Sequence, residues 1–247
     1  MKVENITPYG GTCADKTAQV RDMFDSIAPA YDFMNRAMTM GMDKLWRRRA
    51  VNILTPASTY RRVLDVATGT ADIALRLATV CHTPEVLGID LSEQMLRIGR
   101  HKVAGAGLPE GVRVELRQAD CLHSGLPDGE FDGVICAYGV RNFADIEAGL
   151  REMYRVTRPG GALVILELST PKAWWVKPFY RLYTRCVIPL AGRLVSRDTR
   201  AYSYLPESIA AVPQGPEMTA LLLRAGYSSA TYTPLFLGVC TIYRAVK

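Results

Sequence analysis

Three carboxylates and one small-residue turn are spaced as a nucleoside site would need them. Asp65 lies in the apolar run Val63-Leu64-Asp65-Val66, and Ala67-Thr68-Gly69-Thr70-Ala71-Asp72 follows directly. Such a turn lets the backbone approach a ligand and aims the first amides of the next helix at it. Asp90 closes a second apolar run, Val86-Leu87-Gly88-Ile89, 25 residues after Asp65. A carboxylate at that strand end can accept from both hydroxyls of a ribose. Asp120 follows a third strand, where it could accept from an adenine amino group while the Cys121 amide serves a ring nitrogen. The plainer reading of Asp120 is a residue that starts a turn. Asp65, one turn before the glycine, either orients the loop or meets a ligand ammonium.

The loop chemistry narrows the ligand. A dinucleotide fingerprint needs three glycines so that the backbone can close on a pyrophosphate. Here Gly69 is flanked by Thr68, Thr70 and Ala71, and no lysine follows to meet a triphosphate. A ligand with a ribose and no phosphate fits better, and S-adenosylmethionine is the expected one. A dinucleotide and a purely structural turn are the alternatives.

These groups need a sheet to hold them. Hydrophobic periodicity predicts strands at 61–66, 85–90, 112–117, 131–137 and 163–167, with helices at 71–80, 93–103 and 145–157 between them. Ser92 is the expected cap of the second helix, and Arg158-Pro159-Gly160-Gly161 the stop after the third. Strand–helix alternation with short connections gives a parallel sheet with helices on both faces. A helix over 215–225 and two last strands, near 228–234 and 237–245, add an antiparallel edge. The expected fold is a seven-stranded, mostly parallel, Rossmann-like α/β sheet in one domain spanning 1–247. Residues 1–55 read as two helices outside the sheet, 16–28 and 43–54, separated by a break at Pro29. Residues 171–212 read as a helical and loop insertion. Ligands of such sheets sit beyond the carboxyl ends of the strands. That rule gathers Asp65, Thr68, Gly69, Thr70, Asp90, Asp120, Cys121 and Ala137 as cofactor-binding candidates, with the segments 137–142 and 167–170 beside them.

Composition excludes several classes. The first residues carry no apolar stretch of a secretory leader, and no run approaches the ~20 residues of a membrane span. Six cysteines stand apart, at 13, 81, 121, 136, 186 and 240, so a cytoplasmic chain with reduced thiols and no metal site is expected. The three histidines, at 82, 101 and 123, read as surface or loop residues. The formal charge of +6 is matched by one segment: Lys172 to Arg200 holds seven basic residues and one acid. As a helix over 173–186, that segment would set Trp175, Phe179, Leu182, Tyr183 and Cys186 on one stripe and Lys177, Arg181 and Arg185 on a row. This suits transient contact with an anionic membrane surface, though the stripe could equally pack on the sheet or a second subunit. Nucleic acid is not expected, because the basic residues accompany an apolar face and no segment suits a flipped base.

Longer motifs carry a specific resemblance. Met34-Asn35-Arg36-Ala37-Met38-Thr39-Met40-Gly41, Tyr138-Gly139-Val140-Arg141-Asn142, Leu166-Glu167-Leu168-Ser169 and Tyr202-Ser203-Tyr204-Leu205-Pro206-Glu207-Ser208-Ile209 resemble the demethylmenaquinone and ubiquinone-precursor C-methyltransferases. So do the Asp65–Asp72 loop and the segments starting at Met95 and Glu152, and the likeness runs from about residue 20 to 245. It implies methyl transfer from S-adenosylmethionine to a ring carbon of a polyprenylated quinol, demethylmenaquinol ahead of a benzoquinol. Arg141 matches the family's arginine and is the implied electrostatic group on the developing oxyanion, with Asn142 orienting a hydroxyl; the plain alternative is a salt bridge from Arg141 to Asp145. Phe24, Tyr31, Phe33, Met34, Met38 and Met40 would close over the ring as a lid, and Tyr202 and Tyr204 would line its other side. Tyr31, Met38, Tyr202 and Tyr204 are the substrate-binding candidates. A homodimer is compatible with this reading. A methyltransferase for a soluble phenol and a non-catalytic cofactor binder are the rivals. Departures from the family are Ala71 for a glycine, Asp43-Lys44-Leu45-Trp46 for His-Arg-x-Trp, and Tyr243 near a usual histidine. Ala71 costs nothing if it merely begins a helix, and puts cofactor binding in question if its φ must be positive.

Overall fold

The apolar runs without alternation become the middle of one sheet, where strands are covered on both faces. The computed structural model describes residues 3–10, 15–54, 60–184 and 199–247, except the side chains of 181 and 199–203. Strands β1 (Arg62–Val66), β2 (Glu85–Asp90), β3 (Arg113–Gln118), β4 (Phe131–Ala137) and β5 (Thr157–Leu168) run parallel. Strands β6 (Ser229–Leu235) and β7 (Cys240–Val246) pair antiparallel, and β7 pairs antiparallel with β5. The order is β3-β2-β1-β4-β5-β7-β6, so it reverses between β1 and β4 and opens a crevice at their carboxyl ends.

Helices α1 (Lys16–Met38), α2 (Met42–Leu54), α3 (Asp72–Thr79), α4 (Glu93–Gly105) and α5 (Ile146–Val156) precede or alternate with the strands. Then come α6 (Lys177–Leu182), α7 (Thr199–Ala211) and α8 (Pro216–Arg224). Ser92 caps α4 by accepting from the Met95 amide at 3.1 Å, and Asp145 caps α5 by accepting from Ala148 at 2.8 Å. The α5 stripe Ile146, Gly149, Leu150, Met153 and Val156 is buried, at the spacing of one helix face. One core lies on each side of the sheet, and a smaller one joins α1 to α4 and α7.

Three expectations change. Pro29 does not end the first helix, which continues to Met38. The buried stripe Val20, Met23, Ile27 and Met34 straddles the proline, and packing on both sides of it outweighs one lost backbone bond. The Arg158–Gly161 turn lies inside β5, which starts at Thr157 opposite Phe131 with an irregular register before Gly133. The helix expected over 173–186 begins later, at Lys177, and is α-helical to Leu182; Arg185, Cys186, Arg193 and Arg197 lie outside the described residues. No helix among the described residues is long and apolar enough to cross a membrane.

Candidate active site

The loop after β1 is built around two acids. Asp65 accepts from Thr68 Oγ1 at 2.6 Å and from the Ala74 amide at 3.1 Å, which ties the turn to the start of α3. Burial pushes its carboxyl up to about 7, against those hydrogen bonds and Arg47. Asp90 accepts from the Gly69 amide at 2.8 Å and from Ser92 at 2.9 Å, clamping the glycine turn onto the end of β2. Burial raises its pKa as well. The Gly69 amide is therefore committed to a carboxylate rather than free for a phosphate.

Around this clamp lies an open cleft. Its walls include Gly69, Ile89, Asp90, Met95, Asp120, Cys121, Ala137, Asn142 and Phe143, with Phe24 and Tyr31 from α1 above them. A smaller polar recess continues it between Tyr31, Arg47, Asp65, Thr68, Thr70 and Ala137. Helix α1 is fastened over the cleft at two places. Asp25 accepts from Ser92 Oγ at 2.5 Å, and Asp32 accepts from Thr70 Oγ1 at 2.7 Å. Lys102 joins Asp32 at 2.6 Å to Asp72 at 2.7 Å, and Arg47 reaches Asp72 at 2.8 Å.

A second cavity of about 340 Å³ opens beside the first and is mostly apolar. Met38, Met40, Trp46, Leu168, Phe179 and Phe236 line it, and Tyr138 and Arg141 separate it from the cleft. A smaller pocket between Tyr31, Asn35, Met38, Arg141, Asn142 and Tyr204 lies at their junction and shares walls with both. Several polar atoms facing this junction are buried without partners: Asn35 Nδ2, Arg141 Nε, Asn142 Oδ1 and Tyr204 Oη. Buried polar atoms are normally paired, so the set marks a place for a polar ligand. The Tyr204 hydroxyl is pushed up to about 12 by burial, with the Arg141 charge opposing.

Arg141 is held rigidly. Its Nη1 donates to Glu167 Oε1 at 2.7 Å and to the Tyr138 carbonyl at 2.5 Å, while its amide donates to Glu167 Oε2 at 3.2 Å. The expected alternative partner, Asp145, instead caps α5. The Tyr138 carbonyl also takes Asn142 Nδ2, at 3.3 Å, inside a tight turn where Tyr138 has φ +61°. A Cβ at Gly139 would meet Ala67 Cβ at 2.7 Å and Cys136 Sγ at 2.8 Å, so only glycine fits there.

The structure places Asp90, Gly69, Asp120, Cys121 and Ala137 on the cleft, Asp65, Thr68 and Thr70 on its recess, and Tyr31 on both. Asp120 also accepts from the Leu122 amide at 2.9 Å, so the turn-starting reading applies to it too. Met38 and Tyr204 line the junction; the Tyr202 side chain lies outside the described residues. Of the expected lid, Phe24, Tyr31, Met38 and Met40 face the cavities, whereas Phe33 is exposed and Met34 is mainly core. Ala71 does adopt a positive φ, +65°, but its methyl is buried in the core beside Gly99 rather than in the cleft. Tyr243 is also core, its hydroxyl accepting from the Gly215 amide at 2.9 Å. Glu167 as the partner of Arg141, and Arg47, Asn35, Asp43 and Phe236 at the walls, were not singled out from sequence. The Leu166-Glu167-Leu168 run, an acid inside a buried strand, was the one signal available for Glu167. The described cysteines 81, 121, 136 and 240 form no disulfide with one another, the histidines are exposed, and the described residues hold no metal-binding cluster.

The profile of the ubiE/COQ5 methyltransferase family matches residues 12–247. A demethylmenaquinone methyltransferase of Porphyromonas gingivalis is 45% identical, over 99% of this chain and 98% of its own. One of Bacteroides fragilis is 43% identical over the same shares. A ubiquinone/menaquinone biosynthesis C-methyltransferase of Geobacter sulfurreducens is 43% identical over 100% of this chain and 94% of its own. Among solved structures, a SAM-dependent methyltransferase of Thermotoga maritima superposes with a TM-score of 0.63 at 17% identity, over 92% of this chain and 99% of its own. That likeness is one of fold.

Proposed function

Since this chain belongs to the ubiE/COQ5 methyltransferase family, we propose that it methylates the ring carbon of demethylmenaquinol to give menaquinol. It is an S-adenosylmethionine-dependent C-methyltransferase of menaquinone biosynthesis. The observation that carries the choice of substrate is the junction itself: a nucleoside cleft opens onto a large apolar cavity, and buried, unpartnered polar atoms cluster where they meet.

The cleft fits the cofactor. Asp90 lines the cleft where ribose hydroxyls would be accepted, Asp120 and Cys121 line it where an adenine edge would lie, and the recess with Asp65, Thr68 and Thr70 suits the amino-acid end. When bound, S-adenosylmethionine supplies a methyl group already activated by a sulfonium. The protein has then to raise the electron density of one ring carbon and keep water away. Arg141 can hold a quinol oxygen through its free Nε while Glu167 fixes the other edge of the guanidinium. Charge develops on that oxygen as its hydroxyl proton is lost to water and is stabilised there, and the ring carbon beside it becomes the nucleophile. Once methylated, that carbon gives up its hydrogen as a proton, which restores the aromatic ring. Asn142 and Tyr204 orient the ring at the same junction, and α1 with Tyr31 excludes water from above.

The prenyl tail has to leave through the apolar mouth. Met40, Phe179 and Phe236 line that mouth and are exposed; Trp174, Trp175 and Leu182, beside Phe179 in the chain, are exposed too. Lys172 and Lys177 flank them in sequence, which supports peripheral contact with an anionic bilayer from which the tail is drawn.

The test is methyl transfer from labelled S-adenosylmethionine to demethylmenaquinol, with a benzoquinol precursor in parallel, both reduced and in detergent. Label on the naphthoquinol is the expected result. Label on the benzoquinol alone would move the assignment to ubiquinone synthesis, and label on neither would overturn the quinol substrate.

A further inference from the structure

The loop around the polar recess has already spent most of its donors. Thr68 Oγ1 donates to Asp65 at 2.6 Å, and Thr70 Oγ1 donates to Asp32 at 2.7 Å. The Thr68 amide goes to the Ile89 carbonyl and the Ala71 amide to the Thr68 carbonyl, each at 3.0 Å. The Gly69 amide goes to Asp90 at 2.8 Å. Among the residues that line the recess, one carries a positive charge: Arg47, reaching in from α2. In the adjoining cleft the other cation is Arg21, exposed on α1 and paired with Asp22 at 3.1 Å.

Arg47 is fixed in place with donors to spare. Its Nη1 donates to Asp72 at 2.8 Å, and its Cζ stands 5.5 Å from the centre of the Tyr138 ring. A guanidinium is a rigid fork of several N–H donors. Nη1 is the one with a hydrogen bond among the described residues, and Nε is buried without any. Its acids leave room for a further anion. Asp72 is shared with Lys102 at 2.7 Å, and Asp43 pairs with Nε at 3.9 Å, beyond hydrogen-bond reach.

From this arrangement we infer that Arg47 binds the α-carboxylate of S-adenosylmethionine and makes the site select a cofactor that carries one. The inference rests on the reading of the recess as the place of the amino-acid end. That end brings a positive and a negative group side by side. Asp65, on the recess wall, suits the ammonium. A carboxylate entering beside it is repelled unless a cation stands there too, and Arg47 is that cation. Guanidinium–carboxylate bonds are charge-assisted and directional, so they hold position as well as charge. With the ribose held at Asp90 and the carboxylate at Arg47, the sulfonium between them is fixed from both sides, which aligns its methyl group with the junction.

Binding of two cofactor analogues decides the matter without turnover. The full chain is titrated by calorimetry with S-adenosylhomocysteine and with its decarboxylated analogue, which keeps the nucleoside, the sulfur and the amine. The wild type is expected to bind S-adenosylhomocysteine about ten- to a hundredfold more tightly. Arg47→Gln should weaken S-adenosylhomocysteine by about that factor and leave the decarboxylated analogue within about twofold, so that the ratio falls close to one. A loss shared equally by both ligands would make Arg47 a staple between α2 and α3 and overturn the inference. Equal binding of the two by the wild type would overturn it as well, with the nucleoside cleft left intact. Failure of S-adenosylhomocysteine to bind the wild type would overturn the placement of the cofactor, and this inference with it. The thermal midpoint reports whether the variant is folded. Should Arg47→Gln not fold, Asp43→Asn decides: removing an acid that competes for the guanidinium should raise the ratio several-fold, and an unchanged or lower ratio would be the overturning result.

Discussion

Glu167→Gln would leave the Arg141 guanidinium buried with its charge uncompensated. Breaking a buried pair from one side costs about 3–5 kcal/mol, so the denaturant midpoint should fall and methyl transfer with it. Arg141→Ala acts on chemistry instead. Loss of one aligned donor at a developing oxyanion commonly lowers kcat about 10²–10³-fold, while S-adenosylmethionine affinity by calorimetry should stay within about twofold because Arg141 faces the quinol side. Asp65 gives a pH signature. Its folded pKa is raised, to about 7, by burial, so between about pH 4 and 7 the folded chain holds a proton that the unfolded chain has released. Its contribution to stability therefore grows as pH falls through 7 and is lost as pH rises through it. In Asp65→Asn the amide oxygen can still accept from Thr68 and Ala74, and thermal midpoints measured from pH 5 to 8 should vary less than in the wild type. A wild-type and mutant profile of equal slope would refute the raised pKa.

At the scale of elements, α1 carries both the roof of the cleft and the bonds that close it. Asp25 and Asp32 each grip a residue near a proposed cofactor-binding position, Ser92 beyond Asp90 and Thr70 beside Gly69. Asp25→Ala with Asp32→Ala should leave the sheet folded, with far-ultraviolet circular dichroism unchanged, and raise the cofactor dissociation constant several-fold. An unchanged constant would show that α1 closes by packing alone. The Tyr138–Asn142 turn is the other critical element, because its crowded Gly139 sets where Arg141 and Asn142 point. The segment around α6 was the least legible: Trp175, Phe179 and Leu182 stand at helical spacing, but they are exposed rather than set against a continuous core.

At the scale of the molecule, an apolar rim surrounds the mouth through which a prenyl chain would have to pass. Exchanging Trp174 and Leu182 for serine removes exposed apolar area without touching either cavity. Co-sedimentation with anionic vesicles should weaken several-fold, while turnover of a short-chain quinol in detergent should persist. Equal vesicle binding by the variant would place the membrane contact elsewhere.

The order of strands and helices was legible because each depends on local patterns: uninterrupted Val, Ile and Leu runs, Ser92 as a cap, glycine turns between. The carboxylates at strand ends were legible for the same reason, since a parallel sheet brings its carboxyl ends together wherever its strands are recognised. Tertiary structure alone decided the pairings. Arg141 finds Glu167, 26 residues away, rather than the nearby Asp145, because neighbouring β4 and β5 bring the two together where β4 ends. Pro29 stays inside a helix because α1 packs on both sides of it. The methyl of Ala71 points away from the cofactor cleft only because Gly99 leaves room for it in the core, a fit between two helices that no local pattern encodes.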